Sequence, residues 1–225
     1  MKTSILLGLL LSVALVFSGC LSNSEDKHDK ITTLRIGYQP STHQIAEMVA
    51  TDLGWWKEDL KPFGVTEVRE FGFPSGPPEM QAMMEGELDI AYVGTSPPIA
   101  AISQGLDARI VAAVNVNGSD LVLGSDVLYH GPESLVKMRI STFPPGSIQE
   151  IVLRKWLAKN AINISKLNIT VMGPGDAVSA IISGKVDAVF LPHPSPAIIE
   201  MAHKGRSEVS SGEMWPGHAC CCLVV

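Results

Sequence analysis

Cysteine is scarce in this 225-residue chain: Cys20 stands alone and Cys220, Cys221 and Cys222 form one run. Successive strand residues point to opposite faces, so the run is poorly arranged to bridge itself or to chelate one ion. Zinc sites usually space their cysteines as C-x2-C. A small-residue stretch of buried strand is the first reading of the triplet, with a disulfide to a missing partner or a reactive thiol left open. A basic stripe is absent as well. The chain has 17 Lys and Arg against 23 Asp and Glu, a net charge of −6, which argues against nucleic acid as a partner. No H-x-x-x-H pair, nucleophile elbow or Gly-rich phosphate loop occurs.

What is present is a globular composition, 46% hydrophobic and 18% charged, long enough for one large or two modest domains. Lys2, the apolar run "SILLGLLLSVALVF" and "SGC" make a secretory signal. The run is short for a membrane span, which needs roughly 20 apolar residues. "FSGC" resembles a lipoprotein signal in which Cys20 becomes the acylated first residue; an uncleaved anchor helix is the alternative. Residues 1–19 are therefore expected to be a signal peptide and 20–30 a lipidated polar tether.

The body opens with "TLRIGYQPS", where alternating Leu34, Ile36 and Tyr38 predict a strand that Gln39-Pro40-Ser41-Thr42 ends. Ile45, Met48, Val49, Leu53 and Trp56 then share one helical face, with Ser41 or Thr42 as the expected cap. "VTEVREF" predicts a second strand. Met80, Met83 and Met84 stripe the next helix as core packing, Gly86 stops it, and "LDIAYVG" predicts a third strand.

From residue 138 the scheme repeats. "MRIS" matches "LRIG", and Ile148, Ile151, Val152 and Trp156 give another amphipathic helix. "AVSAIISGKVDAVFLPHPSP" matches "EMQAMMEGELDIAYVGTSPP" without a gap, placing Gly184 over Gly86 and Asp187 over Asp89. Helices alternating with strands predict parallel sheets with right-handed crossovers. In open α/β sheets ligands sit outside the carboxyl ends of the strands. Those ends are the turns at 39–43, 74–78, 94–98, 143–147, 173–176 and 192–196. Two such lobes facing one another enclose a cleft lined by small polar residues. Turns that open helices favour an anionic or strongly polar group. Arg35 and Arg139, at equivalent strand starts away from these rims, are read as structural.

"LRIGYQPS", "LGWWKEDL" and "FPSGPPEMQAMMEGELDIAYVGTSPPIAAISQG" together resemble the solute-binding proteins of ABC importers for alkanesulfonates, taurine and nitrate. The resemblance runs over residues 33–225 and is most specific at 75–105. It implies a two-lobed type II periplasmic-binding-protein fold of the α/β class, each lobe a mostly parallel sheet flanked by helices. It implies a small anionic or polar solute between the lobes and delivery to ABC permease and ATPase subunits. A monomer held to the membrane through lipid on Cys20 is expected, with no cofactor. Carried onto matching positions, the contacts fall at Gln39, Ser41, Thr42, Ser75, Gly76, Thr95 and Ser96 in the first lobe. In the second they fall at Gly146, Ser147, Asp176 and His193. Residues 31–118 are expected to form lobe 1 and 119–212 lobe 2. Residues 213–225 begin a return segment that stops at "HACCCLVV", so the first lobe is expected to lack part of its sheet and helical cover and to expose apolar surface. Alternative readings are a pyrimidine-precursor synthase-like enzyme, with His43, His193 or His218 as metal ligands or bases, and a surface lipoprotein without transport.

Overall fold

The computed structural model describes residues 32–225, one compact unit. The signal peptide, the tether and the lipidation site Cys20 lie outside the described residues. Among the described residues no helix is long and apolar enough to cross a membrane.

Two five-stranded sheets organise the chain. In the first, β1 (Thr33–Tyr38) lies between β2 (Glu67–Gly72) and β3 (Ile90–Gly94), all parallel. β10 (Ala219–Val224) pairs antiparallel with both β3 and β4 (Ile110–Val116). In the second, β6 (Arg139–Thr142) lies between β7 (Asn168–Val171) and β8 (Ala188–Pro192), again parallel. β5 (Ser119–Gly124) pairs antiparallel with β8 and with β9 (Gly205–Ser210). The strand orders β2-β1-β3-β10-β4 and β7-β6-β8-β5-β9 are the same topology used twice.

The helices follow the apolar periodicity. In the first lobe they are α1 (Ile45–Asp52), α2 (Trp55–Leu60), α3 (Gly76–Met84) and α4 (Ser96–Ser103). In the second they are α5 (Ile148–Lys159), α6 (Pro174–Ile182), α7 (Ser195–Met201) and the short α8 (Ser211–Met214). Met80 and Met83 of α3 are buried with Val93 and Val224, while Met84 faces solvent. Ile148, Val152 and Leu157 of α5 pack on Leu121, Ile140 and Phe190.

The repeat persists at atomic detail. The Arg35 guanidinium and backbone N–H donate to Asp89 at 2.6–3.0 Å, and the guanidinium also reaches the Gly86 carbonyl. Arg139 does the same to Asp187 at 2.6–3.0 Å and to the Gly184 carbonyl. Each fork ties the start of one strand to the turn before a neighbouring strand, geometry that suits arginine. Both arginines therefore have the structural role read from their positions.

One expectation needs correction. The first sheet is not short of a strand: β10 fills in it the place that β5 fills in the second. The apolar stripe of α1 faces outward. Ile45, Met48, Val49 and Leu53 are exposed, and the buried side of that helix carries Glu47. Periodicity fixes which residues share a face, not what covers it. The expected apolar exposure of the first lobe is present, on α1 and along Ile110, Val111 and Val116 of β4.

Candidate functional site

The carboxyl ends of the parallel strands in the two lobes surround one cavity of about 390 Å³. All six rims named from sequence reach it. Gln39, Ser41 and His43 come from the end of β1, Pro74 from the loop after β2, and Gly94 from the end of β3. Phe143 follows β6, Pro174 and Gly175 open α6 after β7, and Pro192 ends β8. The chain crosses between the lobes beside this cavity, at Asn117 and Gly118 between β4 and β5. Both crossing residues have positive φ, 58° and 86°.

Among the described residues, no lysine, arginine, aspartate or glutamate lines the cavity. Its polar face comes from the Gln39 and Gln149 amides, the Ser41 hydroxyl, the His43 imidazole and free amides at the starts of α5 and α6. The apolar face comes from Phe73, Phe143 and Ile148. A buried polar network sets the glutamines. Gln39 Nε2 donates to Glu79 Oε2 at 2.7 Å. Burial pushes the Glu79 carboxyl well above the usual range, with the Gln39 bond opposing. Gln44, itself buried, accepts from the Gln39 backbone N–H. Gln149 Nε2 donates to the Ser119 hydroxyl at 3.4 Å.

The floor holds a feature that contradicts the reading of the cysteine triplet. β10 is bulged around Cys220 and Cys221. A bulge sets two residues against one on the partner strand and re-aims a side chain. The Cys220 and Cys221 sulfurs therefore do not point apart; they stand 3.9 Å from each other. His43 Nδ1 lies 3.3 Å from Cys220 Sγ and 4.0 Å from Cys221 Sγ. Cys222 packs instead in the first-lobe core with Met80 and Met83. His43, Cys220 and Cys221 are the one group of three metal-ligating side chains among the described residues, all buried.

Of the contacts carried over from the resemblance, Gln39 and Ser41 line the cavity. Thr42 sits between the lining residues Ser41 and His43. Ser75 is buried at the start of α3 just behind Pro74. Gly76 lets α3 approach α4, since a Cβ there would stand 2.5 Å from Pro97. Thr95 donates through its hydroxyl to the Ala219 carbonyl at 2.8 Å. The Ser96 hydroxyl donates across the lobes to the Gly146 carbonyl at 2.9 Å. Ser147 caps α5 through the Glu150 N–H. Asp176 is exposed on the first turn of α6. His193 pairs with Asp120 at 3.2 Å. His193 and His218 do not join His43 in one cluster. The sequence reading missed Gln44, Gln149 and Cys221 at the cavity. Gln44 stands just before α1 and Gln149 in the first turn of α5, both beside named rims, so the helix starts were the available signal.

A family model described as the NMT1-like family matches residues 27–225. A Bacillus subtilis protein provisionally named as an aliphatic sulfonates-binding protein is 27% identical over 213 residues, covering 92% of this chain and 62% of the relative. The alkanesulfonate-binding protein SsuA of Xanthomonas axonopodis pv. citri, solved bound to MOPS, superimposes with TM-score 0.72 at 21% identity, over 86% of this chain and 65% of its own. The periplasmic nitrate-binding protein NrtA of Synechocystis gives TM-score 0.70 at 18% identity, over 87% of this chain and 56% of its own. The chain thus spans less than two thirds of each of them. Its architecture is the two-lobed periplasmic-binding-protein fold, and the chain belongs to the NMT1-like family.

Proposed function

We propose that this chain is the extracytoplasmic solute-binding component of an ABC importer. It captures a small anionic or polar solute of the sulfonate, taurine or nitrate kind and hands it unchanged to permease and ATPase subunits. Lipid on Cys20 holds it, as a monomer, to the outer face of the membrane. One observation carries the reading: rims from six strand ends, three in each lobe, meet at a single cavity. A solute bridging both lobes makes its full set of contacts only when they are closed, so binding selects the closed arrangement. With no Lys, Arg, Asp or Glu among the described lining residues, an anion is held by the Ser41 hydroxyl, the glutamine amides and the first turns of α5 and α6. Thr42, Ser75, Thr95, Ser96, Gly146, Ser147, Asp176 and His193 shape the two walls around those donors.

Thermal-shift measurements on the full chain with an alkanesulfonate, taurine, nitrate and a pyrimidine test this. A true solute at 100 times its Kd adds about 2.7 kcal/mol of stability and is recovered chemically unchanged. In Gly94→Val the new side chain starts 3.0 Å from Ile148 Cγ2 and fills the cavity, so the shift disappears while the fold remains. A chain stabilised by none of these solutes, or one that converts its ligand, refutes the carrier reading. Retention of Cys20→Ser in the membrane fraction refutes the lipid anchor.

A further inference from the structure

We propose that His43, Cys220 and Cys221 form a binding site for a thiophilic divalent metal ion at the cavity floor. Distances carry the argument. Zn–S bonds near 2.3 Å and Zn–N bonds near 2.0 Å set tetrahedral edges of about 3.8 Å for S···S and about 3.6 Å for S···N. The three edges present are 3.9 Å for Cys220 to Cys221, 3.3 Å for Cys220 to His43 and 4.0 Å for Cys221 to His43. A metal therefore seats with side-chain shifts of a few tenths of an ångström and no movement of the sheet.

The imidazole is set in the tautomer a metal needs. His43 Nε2 lies 2.6 Å from the Gly118 carbonyl, an acceptor only, so Nε2 carries the hydrogen. In the neutral ring Nδ1 then carries the lone pair, and it faces the two sulfurs. Metal-bound histidines are held in this way by a second partner. The bulge supplies the second independent feature, since a regular strand would send the two thiols to opposite faces. The donor set also suits its burial. Two thiolates and one neutral imidazole cancel the charge of a divalent cation, leaving no net charge to bury. Binding releases the two thiol protons, so affinity rises with pH. His43 and Cys221 also line the cavity. The fourth tetrahedral position faces that space, open to water or to an oxygen or nitrogen donor of a solute.

The site does not depend on transport and is tested apart from it. The full chain carrying Cys20→Ser, reduced and kept anaerobic in detergent, is titrated with Co²⁺ and then Zn²⁺. We expect one Co²⁺ per chain, with thiolate-to-metal charge-transfer absorption that Zn²⁺ abolishes by displacement. Cys220→Ser, Cys221→Ser and His43→Ala each weaken binding on the order of 100-fold, and the cysteine variants halve the charge-transfer intensity. Cys222→Ser binds as the parent does. Should a variant unfold, the parent protein still decides the matter. Zn²⁺ slows alkylation of Cys220 and Cys221 and leaves that of Cys222 unchanged, read by mass spectrometry. No charge-transfer band, equal loss in Cys222→Ser, or alkylation that ignores Zn²⁺ overturns the site, whatever the solute screen returns.

Discussion

Gly118→Ala probes the crossing between the lobes and the cavity floor together. Gly118 has φ +86°, a region where an added Cβ costs about 1 kcal/mol. That Cβ would also stand 2.7 Å from His43 Nε2, well inside contact distance. The ring cannot simply swing away, because Cys220 Sγ sits 3.3 Å from its other nitrogen and its Nε2–H is bonded to the Gly118 carbonyl. Loss of that bond and displacement of the ring add about 1–2 kcal/mol, for about 2–3 kcal/mol in all. Gly86→Ala separates the contributions. Its φ is +75°, with nothing within 4 Å of the new Cβ, so it carries the backbone cost alone. Thermal melts of the full chain followed by circular dichroism should fall by about 3 °C for Gly86→Ala and about 8 °C for Gly118→Ala. Equal shifts in the two variants would refute the claim that His43 is clamped against the crossing.

The remaining predictions concern carboxylates. Glu47 is fully buried, and burial first, then the nearby Glu70, raises its pKa to about 8. A raised carboxyl contributes stability that is complete below its unfolded value, about 4.3, and is lost as pH rises through 8. Glu47→Gln should therefore match the parent near pH 4 and exceed it by on the order of 2 kcal/mol near pH 9; a constant difference in urea melts across that range refutes the assignment. Asp187 is shifted the other way, below the usual range, chiefly by the Arg139 bond. Its stability is present above about pH 4 and is lost as pH falls through the lower folded value. Asp187→Asn should cost about 1 kcal/mol near neutrality and nothing in acid; a cost that persists in acid contradicts the ion-pair account.

Regular features were legible because their signals are local and doubled. Ile36 lies in a strand that alternation announced, and Val93 in one announced by an apolar run. The ungapped match of Gly86 and Asp89 with Gly184 and Asp187 announced the repeat, and both pairs are met by identical arginine forks. The six rims followed from strand ends alone. Three features were not legible, each for a physical reason. The bulge at Cys220 is set by pairing with β4, and no glycine marks it in β10. The outward stripe of α1 depends on what lies over the helix, which its own periodicity does not encode. The make-up of the lining depends on side-chain direction: Asp176 falls in a named rim yet is exposed, while Gln149, two positions beyond another rim, lines the cavity.

Strand direction explains why binding chemistry gathers on two strands that are not part of the parallel set. The arginine forks lie at the amino ends of β1 and β6, and the rims lie at the opposite ends of the same strands. Holding and binding are thereby separated along each sheet. An antiparallel strand reverses the order and starts at the rim. β5 begins with Ser119 opposite Pro192, the last residue of β8, and its hydroxyl accepts from the cavity amide of Gln149. β10 pairs Cys221 with Gly94, the last residue of β3, and ends with Val224 beside Ala91, deep in the first core. The first residues of each antiparallel strand are thus delivered to the cleft, and the later ones to the core. The cysteine run is split by this rule: Cys221 lines the cavity, Cys220 stands 3.9 Å from it, sulfur to sulfur, and is fully buried, and Cys222 packs in the first-lobe core.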